Sequence, residues 1–405
     1  MSPDSIPRRT YLKGTSTLAA MATAGLAGCF SNEPAGNGSG NSTQSTPSDG
    51  ADAQSGGGTV NYGGIATVNA GDWANFKKQH GANVNFVTIG NSPGDLLSTL
   101  LAGGGRQLYD LIAPVGGIQP PLASQELIQP IKTDKLKNWD RQYDYWQTDQ
   151  GRDFISHGGD IYGIPIVWQG DSVAYLPNET GREITSYGAL FDEEFKGRTA
   201  IEDNYTTAGQ KTAMYLKATG KADIDNPRNM TEAEFASVVD FLIEQKKDGQ
   251  FRTMWSGFQT AVNLMAEKEV VVMDTWEPVV FSLRDKGIKA EYGIPDEGYL
   301  LWAMVDYLIN PQEEWSDSHE DLVYSFVDWQ LDGWYGAKIT AQTGYMTNPA
   351  AIEYAKNDDE FDASEIEEIH EGVKAKFQEV GGSWQQRWPD NREAYERHWQ
   401  RLRNA

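Results

Sequence analysis

Carboxylates and aromatic rings are the chemistry-bearing side chains this chain has in quantity: 58 Asp and Glu, 13 Trp and 18 Tyr, against one cysteine and five histidines. The histidines, His80, His157, His319, His370 and His398, stand far apart and lack the i, i+4 spacing that sets two imidazoles on one helical face for zinc. No metal site is expected from them, and no cofactor. Gly103-Gly104-Gly105 lacks the Lys-Ser or Lys-Thr of a phosphate loop, and Gly209-Gln210-Lys211-Thr212 lacks its first glycine and spacing. Both read as turns. There is no Gly-x-Ser-x-Gly elbow, and acidic runs such as Asp192-Glu193-Glu194 read as solvated faces in a chain this acidic. No catalytic residue is expected, which leaves a secreted hydrolase as the less favoured alternative to a binding protein. The absence of internal repeats argues against a structural surface protein.

The formal net charge of −24 argues against nucleic acid as a partner, since phosphate binding needs a basic surface. The acids are spread along the chain, as suits a halophilic surface whose self-repulsion is screened over a few ångströms. Attraction of a cationic ligand is the competing reading.

The single thiol belongs to the N-terminal signals. Arg8-Arg9-Thr10-Tyr11-Leu12-Lys13 precedes an apolar run from Leu18 to Leu26, and Leu26-Ala27-Gly28-Cys29 follows. The first resembles a twin-arginine export signal, the second a lipobox. Residues 1–28 are therefore expected to be a cleaved signal, with Cys29 carrying diacylglycerol as the mature N-terminus on the outer face of the cytoplasmic membrane. Residues 29–58, nearly all Gly, Ser, Asn, Thr, Pro, Ala, Asp and Gln, read as a flexible tether with an end-to-end span on the order of 30 Å. No later stretch has the apolar length of a membrane-spanning helix.

What remains is too long for one compact core and suits two lobes. Thr59 to Tyr62, Asn83 to Ile89 and Leu108 to Ala113 read as strands, with Asp95 to Leu101 placing Leu96, Leu97, Leu100 and Leu101 on one helical face. Strand and helix alternate, which predicts a parallel α/β sheet. Thr231 to Glu234 has capping-box spacing ahead of Phe235, Val238, Val239 and Leu242, so a helix is expected over 231–247. Val270 to Met273 reads as a buried strand. Pro278 opens a helix through Leu283, Ser318 caps one carrying Leu322 to Val327, and Asn348-Pro349 starts another.

Six motifs in order resemble the spermidine/putrescine-binding proteins of ABC importers. They are Tyr109-Asp110-Leu111-Ile112-Ala113-Pro114, Tyr162 to Trp168, Ser186 to Asp192 with Lys196-Gly197-Arg198, Trp276, Ile294 to Gly298 leading to Trp302, and Gly344-Tyr345-Met346-Thr347-Asn348. The resemblance covers nearly all of 59–405. It implies a two-lobed periplasmic-binding-protein fold with a ligand cleft between lobes and chain crossings at the hinge, near Gly170-Asp171, Tyr307 and Asn348. One lobe would then comprise 59–170 with 307–348, the other 171–306 with 349–405. It also implies a monomer serving the membrane subunits of an importer, and a small cationic amine held between aromatic rings and carboxylates. The matching positions are Asp203, Trp255, Trp276, Trp302, Tyr345 and Gln385, with Asp306 added if its strand bulges. Gly63-Gly64 replaces the family's Trp-Thr, Val115-Gly116-Gly117 its Ser-x-Tyr, and Tyr205-Thr206 a second glutamate. Phosphonate, thiamine and chelated iron are the alternative ligands.

Overall fold

The computed structural model describes residues 57–89, 93–102, 105–378 and 384–405; the signal, Arg8, Arg9, Cys29 and nearly all of the tether lie outside the described residues. Thr59–Gly64 (β1), Asn83–Thr88 (β2) and Leu111–Ala113 (β3) are parallel neighbours. Gly163–Tyr175 (β4) is buried along its whole length, and Thr199–Glu202 (β5), Phe251–Trp255 (β6), Val272–Thr275 (β7), Glu291–Tyr292 (β8), Leu300–Leu308 (β9) and Trp384–Gln385 (β10) complete one sheet. The order is β2-β1-β3-β9-β4-β7-β5-β6, with β8 on β4 and β10 on β9. Pairing is parallel towards both ends and antiparallel at the centre, where β9 and β4 run against each other.

Those two strands carry the chain between two hydrophobic cores, and the molecule is two-lobed. In β4 Trp168 belongs to the first core and Val173 to the second; in β9 Leu300 belongs to the second and Trp302 to the first. The first change of core therefore falls between Trp168 and Val173. The return comes at Leu301, six residues before Tyr307. The last lies between Trp388 and Tyr395 rather than near Asn348, because residues 350–378 stay with the first core. Helical periodicity reports which face of a helix is apolar but not which sheet that face covers.

Helices flank the sheet. In Pro93–Leu101 (α1) Leu96, Leu97 and Leu100 are buried while Leu101 is exposed. Tyr205–Gly209 is a π-helical turn that runs straight into Gln210–Ala218 (α2), so the expected turn at Gly209–Thr212 is the start of a buried helix. Glu232–Lys247 (α3) opens with the capping box, Thr231 and Glu234 each taking the other's backbone N–H. Glu277–Asp285 (α4) begins at Trp276 with Pro278 in its first turn. Asp317–Gln330 (α5) is capped by Ser316 instead of Ser318, the Ser316 hydroxyl accepting from His319 N. Trp334–Thr343 (α6), Ala350–Ala355 (α7) and Ala363–Gln378 (α8) pack together in the first lobe, and Arg392–Asn404 (α9) lies along α3 in the second.

Polar ties join the lobes beyond the strands, among them the following. Lys376 on α8 reaches Glu277 on α4 at 2.5 Å and Gln169 at 3.0 Å, its ammonium lying over the Tyr292 and Tyr299 rings. Arg228 of the second lobe donates to Asp153 of the first at 3.0 Å. Among the described residues no helix is long and apolar enough to cross a membrane.

Candidate functional site

Where the two lobes face each other there is a cavity of about 610 Å³. The first lobe contributes Ile65, Thr67, Val115, Met304 and Trp388, an apolar wall. At Gly64 a Cβ would come within 2.5 Å of Val68 and 2.9 Å of the Phe86 ring, so the glycines standing in place of Trp-Thr are a packing requirement of this lobe. The second lobe and the hinge contribute the polar side. Trp276 enters from the residue before α4, Trp302 from β9, and Tyr345 from the segment after α6; Trp302 and Tyr345 meet edge-to-face at 4.9 Å. Tyr205 and Trp399 add two further rings.

Carboxylates beyond the one the sequence singled out also face this cavity. Asp171 lies where β4 crosses between lobes, and Trp302 Nε1 donates to its Oδ1 at 2.8 Å. Glu202 ends β5, and its Oε2 is buried with no hydrogen-bond partner. Behind them Asp274 on β7 accepts from the Glu202 backbone N–H at 2.6 Å. Lys211 on α2, fully buried, stands 3.9 Å from Asp171 and 3.7 Å from Asp274. Burial raises the Asp171 carboxyl to about 6 against the opposing pull of Lys211, and burial with the neighbouring Asp274 charge raises Glu202 to about 8. The floor of the cavity is thus three buried acids around one buried ammonium.

Of the expected ligand residues, Trp276, Trp302, Tyr345 and Asp203 line the cavity. Asp203 lines it with its charge already paired: its Oδ1 accepts from Trp399 Nε1 at 2.8 Å and from Arg403 Nε at 2.8 Å. Three others do not reach it. Trp255 is buried behind Trp276, edge-to-face at 5.2 Å, and donates to the Asp274 carbonyl. Gln385 points away, bonded to Tyr145, the Gln150 carbonyl and Arg228, and its neighbour Gln386 faces the cavity, because adjacent residues of a strand show opposite faces. The register between β9 and β4 shifts at Met304/Val305, but the residue skipped is Ile166 on β4, so β9 itself does not bulge. Asp306 lies in the first core, accepting from the Tyr62 hydroxyl at 3.0 Å.

Asp171, Glu202 and Lys211 are the residues that reading the sequence missed. A signal for Asp171 was present: Gln169-Gly170-Asp171-Ser172 is a polar run inside a strand otherwise apolar enough to be covered on both faces. Glu202 adjoins Asp203, and both line the cavity.

Comparison with known proteins bears on the fold and the family. The putrescine/cadaverine-binding protein of Pseudomonas aeruginosa is 21% identical over 281 residues, 65% of this chain and 72% of that one. A putative spermidine/putrescine ABC transporter from Listeria monocytogenes superimposes with a TM-score of 0.66 at 16% identity, covering 85% of this chain and 98% of the other. The spermidine/putrescine ABC transporter substrate-binding protein of Streptococcus pneumoniae gives 0.65 at 14% identity, with the same coverage. Residues 73–365 match the family described as bacterial extracellular solute-binding protein, and this chain is a member of that family.

Proposed function

We propose that this protein is the capture component of an ABC importer, tethered to the outer face of the cytoplasmic membrane through Cys29, and that its cleft takes a small cationic amine of the putrescine class. The observation that carries the ligand reading is the pairing of Asp171 and Glu202, two buried acids lining a cavity that also presents the rings of Trp276, Trp302, Tyr345 and Trp388 and the paired Asp203 and Arg403. An ammonium seated there faces the carboxyl groups of Asp171 and Glu202, both of which line the cavity. The methylene chain then lies against Trp276, Trp302, Tyr345 and Trp388, where cation–π attraction adds to apolar contact. The name of the Pseudomonas relative supports the same class. An anion such as phosphonate would meet the acids at close range, which disfavours it.

A ligand that binds only the native state stabilises it by RT ln(1 + [L]/Kd). A thermal-shift screen of amines, amino acids, thiamine, phosphonates and iron chelates should therefore single out amines, with calorimetry giving the affinity and no product formed from the hit. Stabilisation by an anion and by no amine would overturn the ligand reading; turnover of any hit would overturn the binding reading. The tether is tested separately. Wild-type protein should partition into detergent and Cys29→Ser should not.

A further inference from the structure

Three acids around a single lysine leave this cluster two positive charges short when all three are ionised, and one short when Glu202 carries a proton. Asp274 is held by the Glu202 backbone N–H and by Lys211, and Asp171 by Trp302 and Lys211. Glu202 has neither arrangement. Its carboxyl faces Asp274 from β7, Asp171 from β4, Lys211 from α2, Thr207 from the π-helical turn and Tyr345 from the segment after α6, while β6 sets the Trp255 backbone beside it. Only Lys211 among these is a cation, and it stands nearer the two aspartates. An ionised Glu202 with a bare buried oxygen next to two other carboxylates is a costly arrangement, whereas a protonated one is a neutral wall of the cavity.

We propose that the cleft exchanges a proton for its cation: Glu202 carries a proton in the empty protein and releases it when an ammonium group seats against Glu202 and Asp171, with Lys211 as the fixed countercharge that keeps Asp171 and Asp274 ionised. The step is balanced. The Glu202 O–H bond breaks, the proton passes to solvent, and the incoming ammonium takes its place without being chemically changed. The buried charge is the same before and after, a single negative excess, which is why the exchange avoids burying additional charge. The elevation of Glu202 to about 8 is in keeping with this. Lys211 acts through the acids rather than on the ligand and is a positioning residue. This inference rests on the cationic-amine reading for its ligand but not for its empty state.

The test has two arms on the full-length protein. The first is the carboxyl 13C titration of Glu202 without ligand, its resonance assigned by loss in Glu202→Gln. Glu202 should still be protonated at pH 7; ionisation alongside the surface carboxylates below pH 6 overturns the proposal. The second is calorimetry with putrescine in phosphate and in Tris, whose ionisation enthalpies differ. Near pH 7 the binding heat should depend on the buffer by about one proton per site, and affinity should rise about tenfold per pH unit up to pH 8 and then level. Glu202→Gln should lose the buffer dependence, and Lys211→Met should move the levelling to higher pH because the aspartates then hold protons too. Putrescine binding with no buffer dependence in the wild type overturns the proposal while leaving the amine reading intact. No putrescine binding, with Glu202 protonated at pH 7, removes the amine reading and leaves the protonated floor standing.

Discussion

Glu202 and Asp306 are chemically alike in their burial: each is a carboxyl group taken out of water, with one oxygen that no donor reaches and an affinity for protons raised by desolvation. Their surroundings differ. Asp306 sits in the first core among Tyr62, Tyr335 and Gln330, with no cation beside it. It accepts from the Tyr62 hydroxyl, and a proton on its other oxygen can serve the Gln330 Oε1, which also lacks a partner. Neutral, it is a hydrogen-bonding part of the core. Glu202 has Lys211 within its cluster, two further acids, and an open side towards a cavity. What separates a structural buried acid from a binding one here is therefore not burial or proton affinity. It is the presence of a countercharge together with room for a second one.

Replacing Asp171 with Asn tests that distinction most severely. Lys211 would keep only Asp274, and breaking into a buried ion pair costs about 3–5 kcal/mol, so urea unfolding should show a loss of that order with amine binding abolished. An unaltered denaturation midpoint would mean that the cluster is not held by its charges.

Trp276→Ala should weaken amine binding by about 0.5–2 kcal/mol through lost cation–π attraction, with the lost apolar contact in addition. Calorimetry should show this while the unfolding midpoint moves little, since Trp276 is only partly buried. An equal loss of affinity and stability would make the ring a packing element instead.

Asp306→Asn should sharpen the contrast from the other side. The folded protein raises this carboxyl above its unfolded value, so the folded state binds the extra proton between the two. The stability it confers is full below the unfolded value near 4 and declines as pH rises towards the folded one. Asparagine supplies the same donor without titrating. The variant should match the wild type near pH 4 and exceed it increasingly as pH rises above that value, with amine affinity unchanged. A loss of binding in Asp306→Asn would return that residue to the site.

The smallest effect is expected at Asp203. The resemblance implied a loss of roughly 1.5–3 kcal/mol for Asp203→Asn, the scale of a hydrogen bond to a charged group. Its pairing with the half-exposed Arg403 lowers that to about 0–1 kcal/mol, the worth of a solvent-exposed pair. Calorimetric titration of this variant beside Glu202→Gln shows directly which of two adjacent acids the ligand meets.

Much of the architecture was legible beforehand because its signals are local. The capping box at Thr231 and Glu234, the strand at Asn83 and Pro278 in the first turn of its helix each depend on neighbours within a few residues. The aromatic part of the site was legible too, in Trp276, Trp302 and Tyr345. Tertiary structure decided the rest. It assigned residues 350–378 to the first lobe, because an amphipathic helix does not specify which sheet covers it. It brought Glu202 to the cavity beside Asp203, and Gln386 rather than Gln385, because a strand turns alternate residues to opposite faces and the contacts that set the phase are not local. It also gathered Lys211, Asp171 and Asp274, which lie on three separate elements and have no common spacing in the sequence. Composition determined that the chain would be acidic and rich in aromatic rings; only the packing of two lobes determined which acids would be left short of a cation.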